Sequence, residues 1–256
     1  MSKKKIIGID INEVLRYRWL QFDRFYVDEF GEEGVPEVAY AYDFWNDYEW
    51  KDREDVTHYL NEALPENISP LDYTVDEKTG EAPVDVFAFS SETKTITARE
   101  SYKQFMYEDF NFEIHGTAPL MYKGLDKDLE KIYNKLKHQF DVRIVSKENW
   151  FTIPPTLFFL SKCMPRIKHF HFVDTNKEVW DNVDILITTD PELLEDVPRG
   201  KKIIKVQRPY NEKIPAKNNV EIFQMVDLLG KWDEDESVFN PTDKSKAIEK
   251  LIGYKK

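Results

Sequence analysis

The sequence has a single cysteine, Cys163, among its 256 residues. One cysteine excludes a disulfide within the chain and a cysteine-rich zinc site, and it is typical of a reducing compartment. Long apolar runs are also lacking, since none approaches the roughly 20 residues that a membrane-spanning helix needs. The basic start of the chain is followed by only four apolar residues before Asp10, which is too few for the core of a signal peptide. We therefore expect neither secretion nor a membrane location.

The chain has fewer positively than negatively charged side chains. The chain has 36 lysine and arginine residues against 48 aspartate and glutamate residues, which gives a net charge of −12 at pH 7. Proteins that hold the nucleic-acid backbone need a basic surface, so direct nucleic-acid binding is not expected. A content of 41% hydrophobic and 33% charged residues is typical of a soluble globular protein rather than a disordered one.

Short apolar runs recur at the start of the chain and again after residue 140. Such runs, rich in β-branched residues and bounded by polar ones, predict strands that are buried on both faces. Between the first two runs, an apolar stripe with helical spacing extends from Leu125 to Phe140, and a further helix is predicted from Pro154 to a point before Pro165. Strands that alternate with helices predict an α/β fold with a parallel sheet flanked by helices. The runs are Ile6–Ile9, Val142–Val145, Phe170–Val173, Ile185–Ile187 and Ile203–Val206.

Residues 13–120 do not follow this alternation and are interpreted as an inserted subdomain. They hold 21 of the 36 aromatic residues of the chain. The aromatic side chains could fill a small core, or they could form an exposed surface that binds a base or a partner protein. The insertion is predicted to be mainly helical, with helices over 16–30, 52–64 and 98–112, a loop over 65–83 and a strand over 84–89.

Polar side chains follow each predicted strand. Asp10 comes after the first strand, Ser146 and Lys147 after the second, Lys177 shortly after the third, and Asp190 after the fourth. In an open parallel sheet, ligands bind beyond the carboxyl ends of the strands. Hydroxyl, lysine and carboxylate groups at one edge could bind a phosphate and a hard cation.

The order of these pieces resembles the haloacid dehalogenase-like (HAD-like) phosphohydrolase superfamily, and within it the 5′(3′)-deoxyribonucleotidase-type branch. The similar segments are Ile6–Leu15, Ile144–Ser146, Lys177 followed by Val183–Ile187, and Arg208–Asn211. The resemblance implies a Rossmann-like core, formed by residues 1–12 and 121–230. It also implies that residues 13–120 are a cap, and it leaves 231–256 as an acidic linker and a C-terminal helix, predicted near 243–252.

The resemblance also implies roles for individual residues. Asp10 matches the family's nucleophile, which attacks phosphorus to form an aspartyl phosphate. Asn12 stands where the family has a second aspartate, the general acid and base. Ser146 matches the phosphate-binding hydroxyl, and Lys177 matches the lysine that steadies the charge of the nucleophile and the phosphate.

The chain departs from the family at several of these positions. Asn12 has no proton that titrates near neutral pH, so it cannot act as a general acid or base. Thr188 and Thr189 stand where the family carries acidic Mg²⁺ ligands, and their oxygens are neutral, whereas Mg²⁺ sites use at least one or two carboxylates. Asp10 and Asp190 are the remaining candidates for metal ligands. Together these departures predict a degenerate catalytic centre.

Glu13 adds a further departure, because the family usually has a small residue at that position. A second negative charge beside Asp10 should oppose an incoming phosphate unless a cation intervenes. Because of these departures, the first hypothesis is a non-catalytic structural or interaction component of a homo- or hetero-oligomeric assembly, with other proteins as partners and no cofactor. Proteins of this nucleotidase-like kind are common in tailed bacteriophages, so the expected location is the cytoplasm or a virion.

Two alternatives remain open. One is a Mg²⁺-dependent 5′(3′)-deoxyribonucleotidase-like phosphatase with a rearranged site, in which Asp10 is the nucleophile and Glu13 or Asp190 replaces the missing acid or ligand. An aromatic residue of the insertion, such as Phe44 or Trp45, would then stack on the base. The other is a module that binds a nucleotide or phosphate without cleaving it.

Overall fold

Strands and helices alternate along most of the chain. The computed structural model describes residues 4–33, 35–36, 48–50, 53–60, 89–163, 167–215 and 220–234. The strands are β1 (Lys5–Ile9), β2 (Arg53–Leu60), β3 (Phe89–Ile96), β4 (Phe140–Lys147), β5 (Phe170–Val173), β6 (Ile185–Thr188), β7 (Lys202–Val206) and β8 (Val220–Ile222). The α-helices are α1 (Arg18–Phe30), α2 (Ala98–Gln104), α3 (Asn111–Gly116), α4 (Leu125–Leu136), α5 (Ile153–Cys163), α6 (Asn176–Asn182), α7 (Pro191–Glu195) and α8 (Asp227–Glu234).

Six of the strands form one parallel sheet in the order β5-β4-β1-β6-β7-β8. Strand β1 lies near the middle, and the chain adds strands first on one side of it and then on the other. This arrangement confirms the predicted α/β, Rossmann-like fold. A polar side chain at the end of β1, β4 or β6 therefore reaches the same edge of the sheet, at the point where the strand order reverses.

The inner part of the sheet is buried on both faces, as the apolar runs predict, whereas all four residues of the edge strand β5 are only half-buried. On β6, Ile185 and Ile187 pack into one hydrophobic cluster and Leu186 packs into the other. Gly8 of β1 lies where no side chain fits, because a Cβ atom there would come within 2.4 Å of a methyl carbon of Val183. The close approach of this helix–strand connection to β1 thus requires glycine.

Most of the predicted elements of the larger sheet are present. Helix α4 carries the predicted apolar stripe, although Phe140 begins β4 instead of ending the helix. Helix α5 confirms the prediction made from Pro154, and helix α1 confirms the helix expected after Arg16. The sequence reading missed β8, since its three residues form too short a run to recognise.

The chain divides into two compact units, one formed by residues 1–49 and 103–256 and the other by residues 50–102. Residues 13–49 and 103–120, which the sequence analysis assigned to the inserted subdomain, therefore group with the sheet. That the insertion acts as a cap remains a prediction.

Within the smaller unit, β2 and β3 form an antiparallel pair. The helix predicted over 52–64 is therefore wrong. The run Val56-Thr57-His58-Tyr59 contains two β-branched residues and an aromatic residue, and pairing with β3 satisfies its backbone groups as strand.

The helix predicted over 98–112 is present in part, as α2 followed by a π-helical turn at Phe105–Asp109.

Some predictions concern residues outside the described ranges. They are the loop over 65–83, most of the strand over 84–89, the aromatic residues Phe44 and Trp45, and the C-terminal helix near 243–252. In the part of the chain that the structure describes, no helix is both long enough and apolar enough to cross a membrane.

Candidate functional site

Three strand ends bring Asp10, Ser146 and Thr188 together. Asp10 follows β1, and its backbone N–H donates to the carbonyl of Ile187 in β6 at 2.9 Å. Ser146 lies near the end of β4, and Thr188 is the last residue of β6. Asp10 is only 3% exposed, and the other two residues are equally buried. The sheet topology thus positions the predicted nucleophile beside the predicted phosphate-binding hydroxyl.

The carboxylate of Asp10 accepts three hydrogen bonds. The Ser146 hydroxyl donates to Oδ1 at 2.6 Å, the backbone N–H of Ile11 donates to Oδ1 at 2.7 Å, and the Thr188 hydroxyl donates to Oδ2 at 2.7 Å. Burial raises the pKa of Asp10 to about 6 although these hydrogen bonds oppose the rise, and the nearby charge of Asp190 adds to it. Both carboxylate oxygens are therefore engaged by the protein itself.

The two threonines at the family's Mg²⁺ positions hold the loop after β6. The Thr188 hydroxyl accepts a hydrogen bond from the backbone N–H of Asp190 at 3.0 Å while it donates to Asp10. The Thr189 hydroxyl donates to the backbone carbonyl of Asn12 at 3.1 Å. These side chains join the loop to Asp10 and to the chain that follows it.

Lys147 neutralises Asp190. Its Nζ lies 2.6 Å from Oδ2 of the buried Asp190 and 3.1 Å from Oε2 of Glu192. Burial alone would lower the pKa of Lys147, but the two carboxylates raise it above the ordinary value. The other oxygen of Asp190 accepts from the backbone N–H of Glu192 at 2.9 Å and so caps α7.

In this arrangement the oxygen atoms of Asp10 and Asp190 do not fit a Mg²⁺ ion. Magnesium takes octahedral oxygen ligands and is usually bound through one or two carboxylates, whereas here Asp190 is paired with an ammonium group and Asp10 already accepts from two hydroxyl groups. Among the described residues, no three His, Cys, Asp or Glu side chains form a group that could hold a metal ion.

Asn12 belongs to a separate buried network with Arg16 and Glu148. Its Oδ1 accepts from Nε of Arg16 at 2.8 Å, and its Nδ2 donates to Oε1 of Glu148 at 3.2 Å. The same Glu148 oxygen accepts from Nη2 of Arg16 at 2.7 Å. The amide of Asn12 thus serves as acceptor to the cation and donor to the anion, which a carboxylate could not do.

Arg16 is fully buried and links this network to two further elements. Its Nη1 donates to the backbone carbonyl of His115 at 2.8 Å and to the hydroxyl of Thr156 at 2.7 Å. Glu148 also accepts from the hydroxyl of Thr152 at 2.8 Å through its second oxygen. The guanidinium group therefore ties the loop after β1 to α3 and α5.

Glu13 points to the start of α1 and not toward Asp10. Its Oε1 accepts from the backbone N–H of Trp19 at 3.1 Å, and its backbone adopts a left-handed φ of 57°. Burial raises the pKa of Glu13, while Arg18 and Arg208 oppose the rise. The guanidinium of Arg208 also donates to the backbone carbonyl of Glu13 at 2.7 Å and 3.0 Å. The carboxylate of Glu13 thus satisfies one backbone N–H in the first turn of α1, where a negative charge is favourable, and it lies among arginines.

Lys177 does not join the gathered residues. It is exposed in the first turn of α6, and within the described ranges no hydrogen bond or ion pair connects it to Asp10. The lysine at the site is Lys147, which the sequence analysis placed at this edge of the sheet, whereas the resemblance assigned the charge-steadying role to Lys177. The place of Lys147 directly after Ser146 at a strand end is the signal that could have identified it.

The role of Asn12 gives a testable prediction. Replacing Asn12 with aspartate, the family's residue, places a carboxylate oxygen about 3.2 Å from Oε1 of Glu148. We expect the Asn12→Asp variant to lose about 1–3 kcal/mol of unfolding free energy, because a buried donor is replaced by a like charge. Urea denaturation near neutral pH measures this loss.

Two further variants test the cause. Asn149→Asp makes the same chemical change at an exposed neighbouring position and should leave the stability within about 0.5 kcal/mol. Adding Glu148→Gln to Asn12→Asp restores the charge balance around Arg16 and should recover at least part of the loss. An Asn12→Asp variant as stable as the wild type would contradict the assignment.

Comparisons with known proteins add the following. The chain matches no protein-family model and no curated protein. Among solved structures it is similar to a presumed haloacid dehalogenase-like hydrolase from Burkholderia xenovorans LB400. The two have 10% sequence identity and a TM-score of 0.46, over 91% of this chain and 98% of the other. The fold class follows from the six-stranded parallel sheet of this chain itself.

Proposed function

We propose that this chain is a HAD-like domain with a degenerate phosphohydrolase centre and that it works as a non-catalytic structural or interaction component of a larger assembly. The observation that carries the proposal is that the polar groups at the strand ends satisfy one another. Asp10 accepts hydrogen bonds from Ser146, Ile11 and Thr188, and Lys147 forms an ion pair with Asp190. Lys147 thus neutralises Asp190, and protein donors occupy three of the roughly four acceptor positions of Asp10, which weakens this set as a site for the divalent cation that phosphoryl transfer needs.

The position of the missing general acid supports the same proposal. In the family, this residue has to exchange a proton with the leaving oxygen and with water. Asn12 has no such proton, and both ends of its amide are bound to Arg16 and Glu148 in a buried network. Glu13 does not replace it, because its carboxylate binds the first turn of α1.

An exposed aromatic surface supports the interaction part of the proposal. This surface consists of Phe112 of α3, Trp150 and Phe151 before α5, and Leu157 and Phe158 of α5. Trp150 is 78% exposed and Phe112 is 47% exposed. The rings of Phe112 and Phe158 lie 4.9 Å apart, and those of Trp150 and Phe151 lie 5.2 Å apart. Exposed aromatic residues in ring contact, such as these two pairs, are typical of protein interfaces, although Phe151 itself is half-buried. A phage particle is one such assembly, and the location in the cytoplasm or a virion follows from the same proposal.

One observation favours the second candidate, a Mg²⁺-dependent 5′(3′)-deoxyribonucleotidase-like phosphatase. The buried carboxylate of Asp10 has a pKa of about 6, so it is mostly ionised at neutral pH, as a nucleophile must be. Perturbed pKa values are frequent at catalytic sites. Ser146 also donates to it at 2.6 Å, in keeping with the family's phosphate-binding position.

Phosphate release separates the two candidates. Purified protein is incubated with Mg²⁺ and a panel of nucleoside 5′- and 3′-monophosphates, and the release of inorganic phosphate is measured. We expect no release above that of the Asp10→Asn variant prepared in parallel. The Asp10→Asn variant serves as the control because it removes the only candidate nucleophile while it keeps the size of the side chain. Turnover by the wild type that disappears in this variant would end the proposal in favour of the phosphatase.

A further inference from the structure

A groove of about 380 Å³ lies at the edge of the sheet where β1 and β4 begin, beside the end of α4. Its polar lining comes from Lys4, Tyr133, Lys137, Asp141, Lys168 and His169. Lys4 precedes β1, whereas Asp10 follows it, so the groove lies at the opposite edge of the sheet from Asp10. The degenerate centre therefore has no part in it.

The groove carries positive charge that the protein does not neutralise. Asp141 is the only acidic residue of its lining, and that carboxylate pairs with the guanidinium of Arg143 at 2.6 Å. Within the described residues, no ion pair joins Lys4, Lys137 or Lys168 to a carboxylate. In a chain with a net charge of −12, three lysines that line one groove and have no carboxylate partner among the described residues form a local concentration of positive charge.

Two of the ammonium groups are held in place. Nζ of Lys4 donates to the backbone carbonyl of Lys137 at 2.9 Å, and Nζ of Lys137 donates to Oδ1 of Asn134 at 2.7 Å. Each ammonium has three N–H donors, so one hydrogen bond leaves two of them for a ligand. The last turn of α4 explains why Lys4 lies here, since a cation is favourable at a helix C-terminus, but it does not explain Lys168 and His169.

Aromatic and apolar groups complete the groove. Tyr133 lines it, with Nζ of Lys137 at 5.8 Å from the centre of the ring. Phe140 and Val142 of β4 also contribute to the lining. Pockets for small molecules have volumes of about 300–1,000 Å³ and combine apolar walls with a few placed polar groups. The groove has this size and this chemistry.

We propose that this groove binds a small phosphate ester, in which the phosphate dianion lies among Lys4, Lys137 and Lys168 and an apolar or aromatic part packs on Tyr133 and Phe140. Lysine binds phosphate as a point charge, and three lysines lining one groove favour a dianion over a monoanion. The small volume favours a small molecule over a polymer.

Calorimetric titration with phenylphosphonate tests the proposal. This probe is a stable mimic of a phosphate ester, so turnover cannot complicate the measurement. We expect binding at low salt that weakens by roughly fivefold or more in each of Lys4→Gln and Lys168→Gln, because each substitution removes a charged donor. Lys131→Gln is the matched control, since Lys131 lies on α4 and is already paired with Asp128 at 3.0 Å; it should leave the affinity unchanged. Benzoate, a monoanion with the same ring, should bind more weakly.

Three results would overturn the proposal. The first is the absence of binding to the wild-type protein at millimolar phenylphosphonate. The second is an affinity that both lysine substitutions leave unchanged, which would place the probe elsewhere. The third is benzoate binding as tight as that of phenylphosphonate, which would remove the preference for a phosphate.

Discussion

Replacing Arg16 with methionine is expected to lower the free energy of unfolding by about 3–5 kcal/mol, because it leaves a buried carboxylate without its cation. Arg16 is fully buried and donates to Asn12, Glu148, His115 and Thr156. Methionine fills a similar volume but satisfies none of these acceptors. Urea denaturation near neutral pH, followed by circular dichroism, measures the loss.

Two comparisons make this prediction specific. Arg143→Met removes the partner of Asp141, an ion pair of 2.6 Å whose side chains are 20% and 32% exposed, and should cost at most about 1 kcal/mol. The double variant Arg16→Met/Glu148→Gln removes the stranded charge as well and should be more stable than Arg16→Met alone, even if that single variant folds poorly. Equal losses at Arg16 and Arg143 would contradict the buried network.

The parallel sheet could be predicted from the sequence because a strand that is buried on both faces leaves a local signal. Five short apolar runs identified five of its six strands, since each residue of such a strand faces one core or the other. The sixth, β8, has three residues and leaves no comparable run. Strand β2 was mistaken for a helix because it is stabilised by pairing with β3, and pairing between distant segments leaves no mark in either segment alone.

The candidate site likewise contains residues that the sequence could predict and residues that it could not. Asp10 and Ser146 could be placed together because strand topology brings the carboxyl ends of parallel strands to one edge. The resemblance to a family also suggested their chemistry. The resemblance assigned the charge-steadying role to Lys177, whereas the structure places Lys147, the last residue of β4, on the carboxylate of Asp190.

The network around Asn12 could not be predicted at all. Glu148 is 132 positions from Arg16 along the chain, and neither residue belongs to a motif. Asn12 therefore looked like the simple loss of an aspartate. In the structure the amide of Asn12 has a stabilising role of its own, because it bridges a buried cation and a buried anion. An aspartate at position 12 would require a change at Glu148 as well.

Asp10→Asn is expected to raise the free energy of unfolding by about 3 kcal/mol near neutral pH, because the variant no longer buries an ionised carboxylate. The substitution keeps two of the three hydrogen bonds, since Oδ1 of asparagine still accepts from Ser146 and Ile11, and it reverses the third, because the Thr188 hydroxyl can no longer donate to residue 10. Nδ2 of the asparagine can donate to the Thr188 hydroxyl, which has a lone pair free to accept. Thermal and urea denaturation of the two proteins side by side measure the gain.

The stability gain of Asp10→Asn over the wild type should become smaller as the pH falls. In the folded protein the pKa of Asp10 is about 6, above its ordinary value of 3.8, so the folded state binds the proton more tightly than the unfolded state. Wild-type stability is therefore penalised above the folded pKa, and the penalty fades as the pH falls from about 6 toward 4. The difference between Asp10→Asn and the wild type should shrink over this window. Glu13 is common to both proteins, so its own titration cancels in the comparison. A gain that stays constant from neutral pH to about pH 4, or a variant less stable than the wild type near neutral pH, would show that the buried carboxylate is not the source of the penalty.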